Sequence, residues 1–218
     1  MRRLIILITV CLAGSVQAGS NGFPSLKMGT DARSGALGMA YTALANDGAG
    51  GYWNPAGLAG INGSELLLSI QKWIEGVRSE FFGLAWGGEK HGIGIHLLYT
   101  QVDDIEYRVG PSPQPLSTFS SRELVAGISY ARTVYRKLSF GITVKGPYEK
   151  IFINEALGVA VDAGFLFEVY KKGLRIGGVI QNIGYTSHMQ QESIQLPFLG
   201  KLGLALPLEF IGCKWIFT

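Results

Sequence analysis

Three histidines, two cysteines and a scatter of charged residues carry whatever acid–base or metal chemistry this chain can do. Their spacing argues for none of it. His91, His96 and His188 stand at no metal-ligand spacing to one another, whereas a zinc site needs three or four ligands that converge. Cys11 falls in an N-terminal leader, which leaves Cys213 alone; a single thiol forms no disulfide within the chain and is more often packed than nucleophilic. No Gly-x-Ser-x-Gly run marks a nucleophile elbow. The expectation is a noncatalytic protein with no metal and no cofactor.

The remaining charges share a parity. Lys145, Glu149, Asp162, Glu168 and Arg175 mostly fall on the polar side of the segments that hold them, as does His96. On one face of a set of strands they would form an enclosed polar network, either salt bridges that brace a barrel or a lining that guides a solute. His96 is expected to be hydrogen-bonded inside it, and His188 to lie in a solvated loop.

The segments that must position these residues alternate with period two. Leu138, Phe140, Ile142 and Val144 are interleaved with Ser139, Gly141, Thr143 and Lys145, and the odd residues from Val159 to Val169 with Asp162, Gly164 and Glu168. Ile93, Ile95, Leu97 and Tyr99 stand against Gly92, Gly94, His96 and Thr100; Leu124, Ala126, Ile128 and Tyr130 stand against Glu123, Gly127 and Ser129. Such runs predict pleated strands with one apolar and one polar face. Shorter ones lie near residues 64–74, 79–87, 173–182 and 199–206.

A soluble sandwich alternates too, so the solvent must be read from other features. The polar face is mostly Gly, Ser, Thr and Ala, and Trp73, Trp86, Tyr99, Tyr130, Tyr135 and Tyr170 cluster towards strand ends, as in the aromatic girdles of membrane barrels. Connections near 88–90, 133–136 and 170–173 read as tight, and those near 103–120, 147–157 and 183–199 as long. Short periplasmic turns and longer outer loops give this pattern; the turn at Glu75 to Val77 is a short outer one.

Arg2 and Arg3, the apolar stretch from Leu4 to Val16 and the small-residue run Val16-Gln17-Ala18 read as a secretory signal peptide over residues 1–18. Taking Arg2 and Arg3 from 19 basic residues leaves 17 against 16 acidic ones, a net charge of about +1. The basic pI therefore carries no argument for nucleic acid. A chain that is 47% apolar with 31 glycines is an unusual soluble secreted domain, which needs a charged exterior.

Between leader and strands lies a segment of small residues, 19–62. Asp31 is a helix N-cap in type, the run to Asn46 has helical spacing, and Gly48 to Gly51 read as a tight turn. Asn54-Pro55 starts another turn: Pro55 fixes its own φ and excludes Asn54 from the helical region. The whole reads as a compact cap whose small residues let backbones pack closely.

These motifs resemble the PorV/PorQ family of outer-membrane proteins, itself similar to the FadL-type long-chain fatty acid transporters. The resemblance rests on Gly29 to Arg33, Leu37-Gly38-Met39-Ala40, Asn46-Asp47 and Tyr52-Trp53-Asn54-Pro55-Ala56-Gly57-Leu58. It continues through Ser129 to Arg132, Leu138 to Lys145 with Tyr148-Glu149-Lys150, Gly158 to Gly164 and Leu174 to Gly184. It implies an antiparallel transmembrane β-barrel in the outer membrane of a Gram-negative-type bacterium, behind an N-terminal hatch. Residues 63–218 have room for about eight strands, or nine if Lys214 to Thr218 begins another, fewer than the family barrel, and truncation at the C-terminus is the expectation.

The implied hatch motif is Arg33, Asp47, Asn54, Pro55, Ala56 and Gly57; from their polarity alone, Arg33 and Asp47 are expected to tie the hatch to the lumen. The implied work is type IX protein secretion, with secretion components or secreted cargo as partners, or a FadL-like passage for hydrophobic small molecules. For the passage, Leu37, Met39, Leu44 and Trp53 would line an apolar pocket. A purely structural barrel and a soluble periplasmic β-protein are the alternatives.

Overall fold

The computed structural model describes residues 22–169, 173–187, 194–210 and 213–217. The expected signal peptide, Cys11, Tyr170 and His188 lie outside the described residues. Nine strands follow one another: β1 (Gly63–Lys72), β2 (Arg78–Gly87), β3 (His91–Tyr107), β4 (Ser117–Tyr135), β5 (Leu138–Ile151), β6 (Asn154–Glu168), β7 (Arg175–Thr186), β8 (Leu199–Phe210) and β9 (Cys213–Phe217). Each pairs antiparallel with the next, in the order β1 to β9. The first eight curl into a half-barrel, and β9 pairs with the far half of β8 from Leu206 onward.

The period-two pattern sets the faces. On β3, Gly92, Gly94, His96, Leu98 and Thr100 are buried on the concave side, while Ile93, Ile95 and Leu97 are exposed on the convex side. Strands β4 and β5 repeat this: Ser129 and Thr143 are buried, Ile128 and Val144 exposed. The large apolar residues thus point away from the packed side, the reverse of a soluble sandwich.

Two connections differ from the expected lengths. Residues 147–157 are no long loop: β5 runs to Ile151, β6 restarts at Asn154, and Phe152 turns the chain with a φ of 56°. The ladder holds from Tyr148↔Leu157 to Ile151↔Asn154, so Gly146-Pro147, a breaker in isolation, only skips pairings within one hairpin. Between β3 and β4 the connection shrinks because β3 continues through a bulge between Val102 and Ile105 to Tyr107.

The N-terminal segment fills the concavity. Its helices are short: α1 (Ala32–Ala36) and α2 (Gly50–Trp53), with 3₁₀ turns at Pro24–Lys27 and Pro55–Gly60. Asp31 caps α1 as expected, its Oδ1 accepting from Ser34 N at 2.9 Å. The helix stops well before Asn46 because Gly38 and Met39 take left-handed conformations, φ 59° and 66°. Gly50 and Gly51, read as a turn, instead open α2. A Cβ on Gly51 would stand 2.5 Å from Ser129 Oγ, so glycine serves close packing there rather than turning. Phe23, Tyr41, Leu44, Tyr52 and Trp53 from this segment pack with Phe81, Leu98 and Val125 of the sheet in one core.

Candidate functional site

The site is the surface on which the N-terminal segment meets the sheet. Glycines mark its footprint: a Cβ at Gly83, Gly87, Gly92 or Gly141 would collide with backbone of Gly48, Ile61, Leu58 or Pro55–Ala56, and one at Gly164 with the Asn54 carboxamide. Backbone sits on backbone, and that closeness needs residues with no side chain.

Hydrogen bonds then fix the register. Asn54 Nδ2 donates to Thr42 O at 2.9 Å and to Phe165 O at 3.1 Å, while its Oδ1 accepts from Ala56 N at 3.2 Å. One buried side chain therefore starts the Pro55 turn, holds another loop of the segment and grips β6. Ser129 Oγ and Thr143 Oγ1 lie 2.7 Å apart, and Thr143 donates to Gly51 O at 2.9 Å. Gln181 Nε2 donates to Tyr52 O at 2.7 Å, and Trp53 Nε1 to Thr30 Oγ1 at 2.9 Å.

A buried ion pair lies beneath. Lys145 Nζ is 2.8 Å from Asp162 Oδ2, with both side chains almost wholly buried. A bare pair at that depth would lose in desolvation what it gains in attraction unless further hydrogen bonds complete it. Asn182 supplies two of them: its N donates to Asp162 Oδ1 at 2.8 Å and its Oδ1 accepts from Lys145 at 2.5 Å, while Asp162 Oδ2 has only the ion pair and accepts no hydrogen bond among the described residues. The fold supplies Asn182 through a bulge between Val161 and Ala163, where Asn182 takes a φ of 63°. Two successive side chains, Gln181 and Asn182, are thereby both buried.

The remaining polar side chains divide by depth. Glu149 accepts from Phe23 N at 3.4 Å, and Glu123, directly opposite it on β4, accepts from Ser25 N at 3.1 Å. His96 is buried as expected but not hydrogen-bonded: neither ring nitrogen has a partner among the described residues. Its ring packs between Phe81 and Tyr52, with centroids 6.2 Å and 5.9 Å away, so aromatic contact replaces the expected network. Glu168 and Arg175 are half-exposed at the strand ends, and Glu168 pairs with Lys137 at 2.8 Å instead of joining the buried group.

The other expected residues are placed as follows. Arg33 and Asp47 bind each other at 2.9 Å within the N-terminal segment rather than tying it to the sheet. Asp47 also accepts from the Tyr41 hydroxyl, and Arg33 lies 5.2 Å above the Tyr41 ring. Burial, helped by Asp47, pushes the Tyr41 phenol above its ordinary pKa; burial does the same to Tyr52. Pro55, Ala56 and Gly57 are buried in their turn. Leu44 and Trp53 lie inside the core, Leu37 packs on its edge, and Met39 is 41% exposed. Three of the four residues expected around an open pocket thus help to fill a core.

Gln181 and Asn182 were legible only as two consecutive polar residues inside an alternating strand, the signature of a bulge. Lys201 was not singled out; its Nζ lies 4.8 Å from the centroid of the Trp53 ring. Among the described residues, no three His, Cys, Asp or Glu side chains gather as a metal site. No family model and no curated protein sequence matches this chain. The residues and their geometry carry the functional reading.

Proposed function

We propose that this chain is a noncatalytic outer-membrane barrel protein of the PorV/PorQ type, with the N-terminal segment as its hatch, working in type IX protein secretion. The observation that carries this is the apolar band on the convex face. On β4, Leu124, Ala126, Ile128 and Tyr130 are exposed in succession between exposed Arg122 and Arg132. The ten steps from Arg122 to Arg132 at ~3.4 Å each make ~34 Å along the strand, so the two flanking charges stand ~26 Å apart across a membrane at the ~40° tilt of such barrels, close to their ~25 Å apolar band. Glycine, hydroxyl groups and a buried ion pair on the other face suit an interior closed to lipid. Among the described residues β1 keeps one unpaired edge, and in a membrane such an edge has to be covered.

Secretion is favoured over passage because Trp53, Tyr41 and Leu44 fill the concavity and a docked backbone covers the glycines. A sealed barrel is suited to binding partners at its loops. The second reading, a FadL-like passage for hydrophobic compounds, draws on exposed Met39 and half-buried Leu37, which leave an apolar edge on the hatch.

The test is extraction of the natural gene product from outer membranes. The expected protein needs detergent, shows heat-modifiable migration, and yields liposomes that neither conduct ions nor admit an apolar dye, while crosslinking recovers secretion components. Extraction without detergent would sink the barrel reading. Dye entry with no such crosslinks would transfer the function to passage.

A further inference from the structure

The convex face of the wall carries a feature the hatch does not use. Ala126 and Gly146 stand directly opposite each other on β4 and β5, and their lack of bulk opens a furrow of about 440 Å³. Ile95, Leu97, Ile128, Val144 and Val159 wall it. The β5–β6 ladder skips beside it, running to Lys145↔Ala160 and resuming at Tyr148↔Leu157, where Pro147 has no N–H to donate.

Four residues along the same strands, ~13 Å at strand rise, exposed Arg122 stands directly opposite exposed Lys150. Like charges so placed repel. Glu155 takes one donor of Lys150 at 2.6 Å, and an ammonium has others to give. Arg122 has no carboxylate partner among the described residues. Asp103 and Asp104 lie farther along the neighbouring strand, beyond Gln101, which is Arg122's register partner. An apolar trough thus leads to two cations with charge left over, the complement of an acyl chain ending in an anionic head.

We propose that the furrow and the Arg122–Lys150 pair bind a phosphate-headed acyl lipid of the outer leaflet. The phosphate bridges the two cations and one acyl chain lies over Ala126 and Gly146. This rests on the reading that the convex face meets lipid and that the 108–116 connection lies on the outer side. The guanidinium fork of Arg122 matches two phosphate oxygens, and Lys150 adds a point charge.

Native mass spectrometry on the full chain in detergent micelles tests the site with three probes: lipid A, the same lipid with its phosphates removed, and inorganic phosphate. The expected protein retains lipid A, binds the dephosphorylated lipid about tenfold more weakly, and is not stripped of lipid A by millimolar inorganic phosphate. Arg122→Gln/Lys150→Gln and, separately, Ala126→Leu, which fills the furrow without touching charge, each weaken lipid A by about tenfold. Retention within about twofold by either variant overturns the proposal, as does displacement by inorganic phosphate. Both variants lie on the face away from the core, and protease resistance of residues 22–61 confirms that they fold. A wild type that stays dispersed without detergent and ignores vesicles would sink the membrane reading itself; one that needs detergent yet ignores the phosphates sinks this site alone.

Discussion

Ile95 and His96 are neighbours on one strand and a face apart in environment. Ile95 is 37% exposed on the convex side, beside Leu84 and Ile128 of the adjoining strands. His96 is 2% exposed on the concave side, packed against Tyr52 and Phe81. The same contrast separates Val144 from Lys145, where an exposed aliphatic adjoins a buried ammonium. Alternation, then, reports that a sheet has two environments and leaves open which is dry. That answer comes from what packs: an N-terminal segment of small residues and aromatic rings on the side of glycine, hydroxyl and paired charge. The apolar side is left to a solvent that tolerates it, which in our reading is lipid.

The sharpest way to break the contrast is to strip the interior of one charge. Lys145→Met leaves Asp162 buried without its cation, and removing one partner of such a pair costs about 3–5 kcal/mol. The denaturation midpoint in detergent should fall accordingly, with residues 22–61 becoming protease-sensitive. Lys145→Met/Asp162→Leu should recover much of the loss, since an apolar pair of similar volume is often neutral. Recovery will be incomplete, because Asn182 N–H loses its acceptor on Asp162.

The next effect tests the other face. Ile128 is 67% exposed and lies near the middle of the Arg122-to-Arg132 band. If lipid covers it, Ile128→Arg costs about 2–4 kcal/mol, the penalty for a cation at the bilayer midplane. An exposed residue facing water would change stability by less than about 0.5 kcal/mol. Denaturation of wild type and Ile128→Arg in lipid vesicles separates the two values cleanly, and the smaller one would remove the asymmetry on which the membrane reading stands.

Much of this contrast was legible in the sequence, and what was not has identifiable causes. The strands and their faces followed from period two, and Asp31 and Asn54 from the chemistry of caps and turns. The connection near 147–157 was expected to be long, but β5 and β6 pair through it up to the turn at Phe152, and a proline inside a long hairpin only removes the pairings it cannot make. Glu168 and Arg175 have the parity of the interior, yet parity carries no depth, and both lie where the strands run out. Arg33 and Asp47 were assigned to a tie across elements, but fourteen residues of compact chain bring them to each other. The pairing of Lys145 with Asp162 needed the neighbouring register of β5 and β6, which no single strand encodes.

Asn54 joins the two halves of the interior, so its removal should cost less than a buried charge and more than a surface contact. Asn54→Ala leaves Thr42 O and Phe165 O without this donor and removes the cap on the Pro55 turn. Unsatisfied buried acceptors cost about 1–3 kcal/mol. The measurable outcome is a lowered midpoint together with faster proteolysis confined to residues 22–61. Equal proteolysis of wild type and variant would mean that glycine packing alone seats the N-terminal segment.

The smallest effect is expected where the comparison of faces no longer applies. Arg33 and Asp47 pair at 2.9 Å, but the arginine side chain is about half-exposed, and an ion pair open to water is worth less than about 1 kcal/mol. Asp47 keeps Tyr41 and Ala49 N as partners without it, so Arg33→Gln should leave the midpoint almost unchanged and Asp47→Asn should lower it more. The inequality is the informative quantity. If Arg33→Gln proved as costly as Asn54→Ala, the arginine would have to hold the N-terminal segment through more than its exposed pair with Asp47.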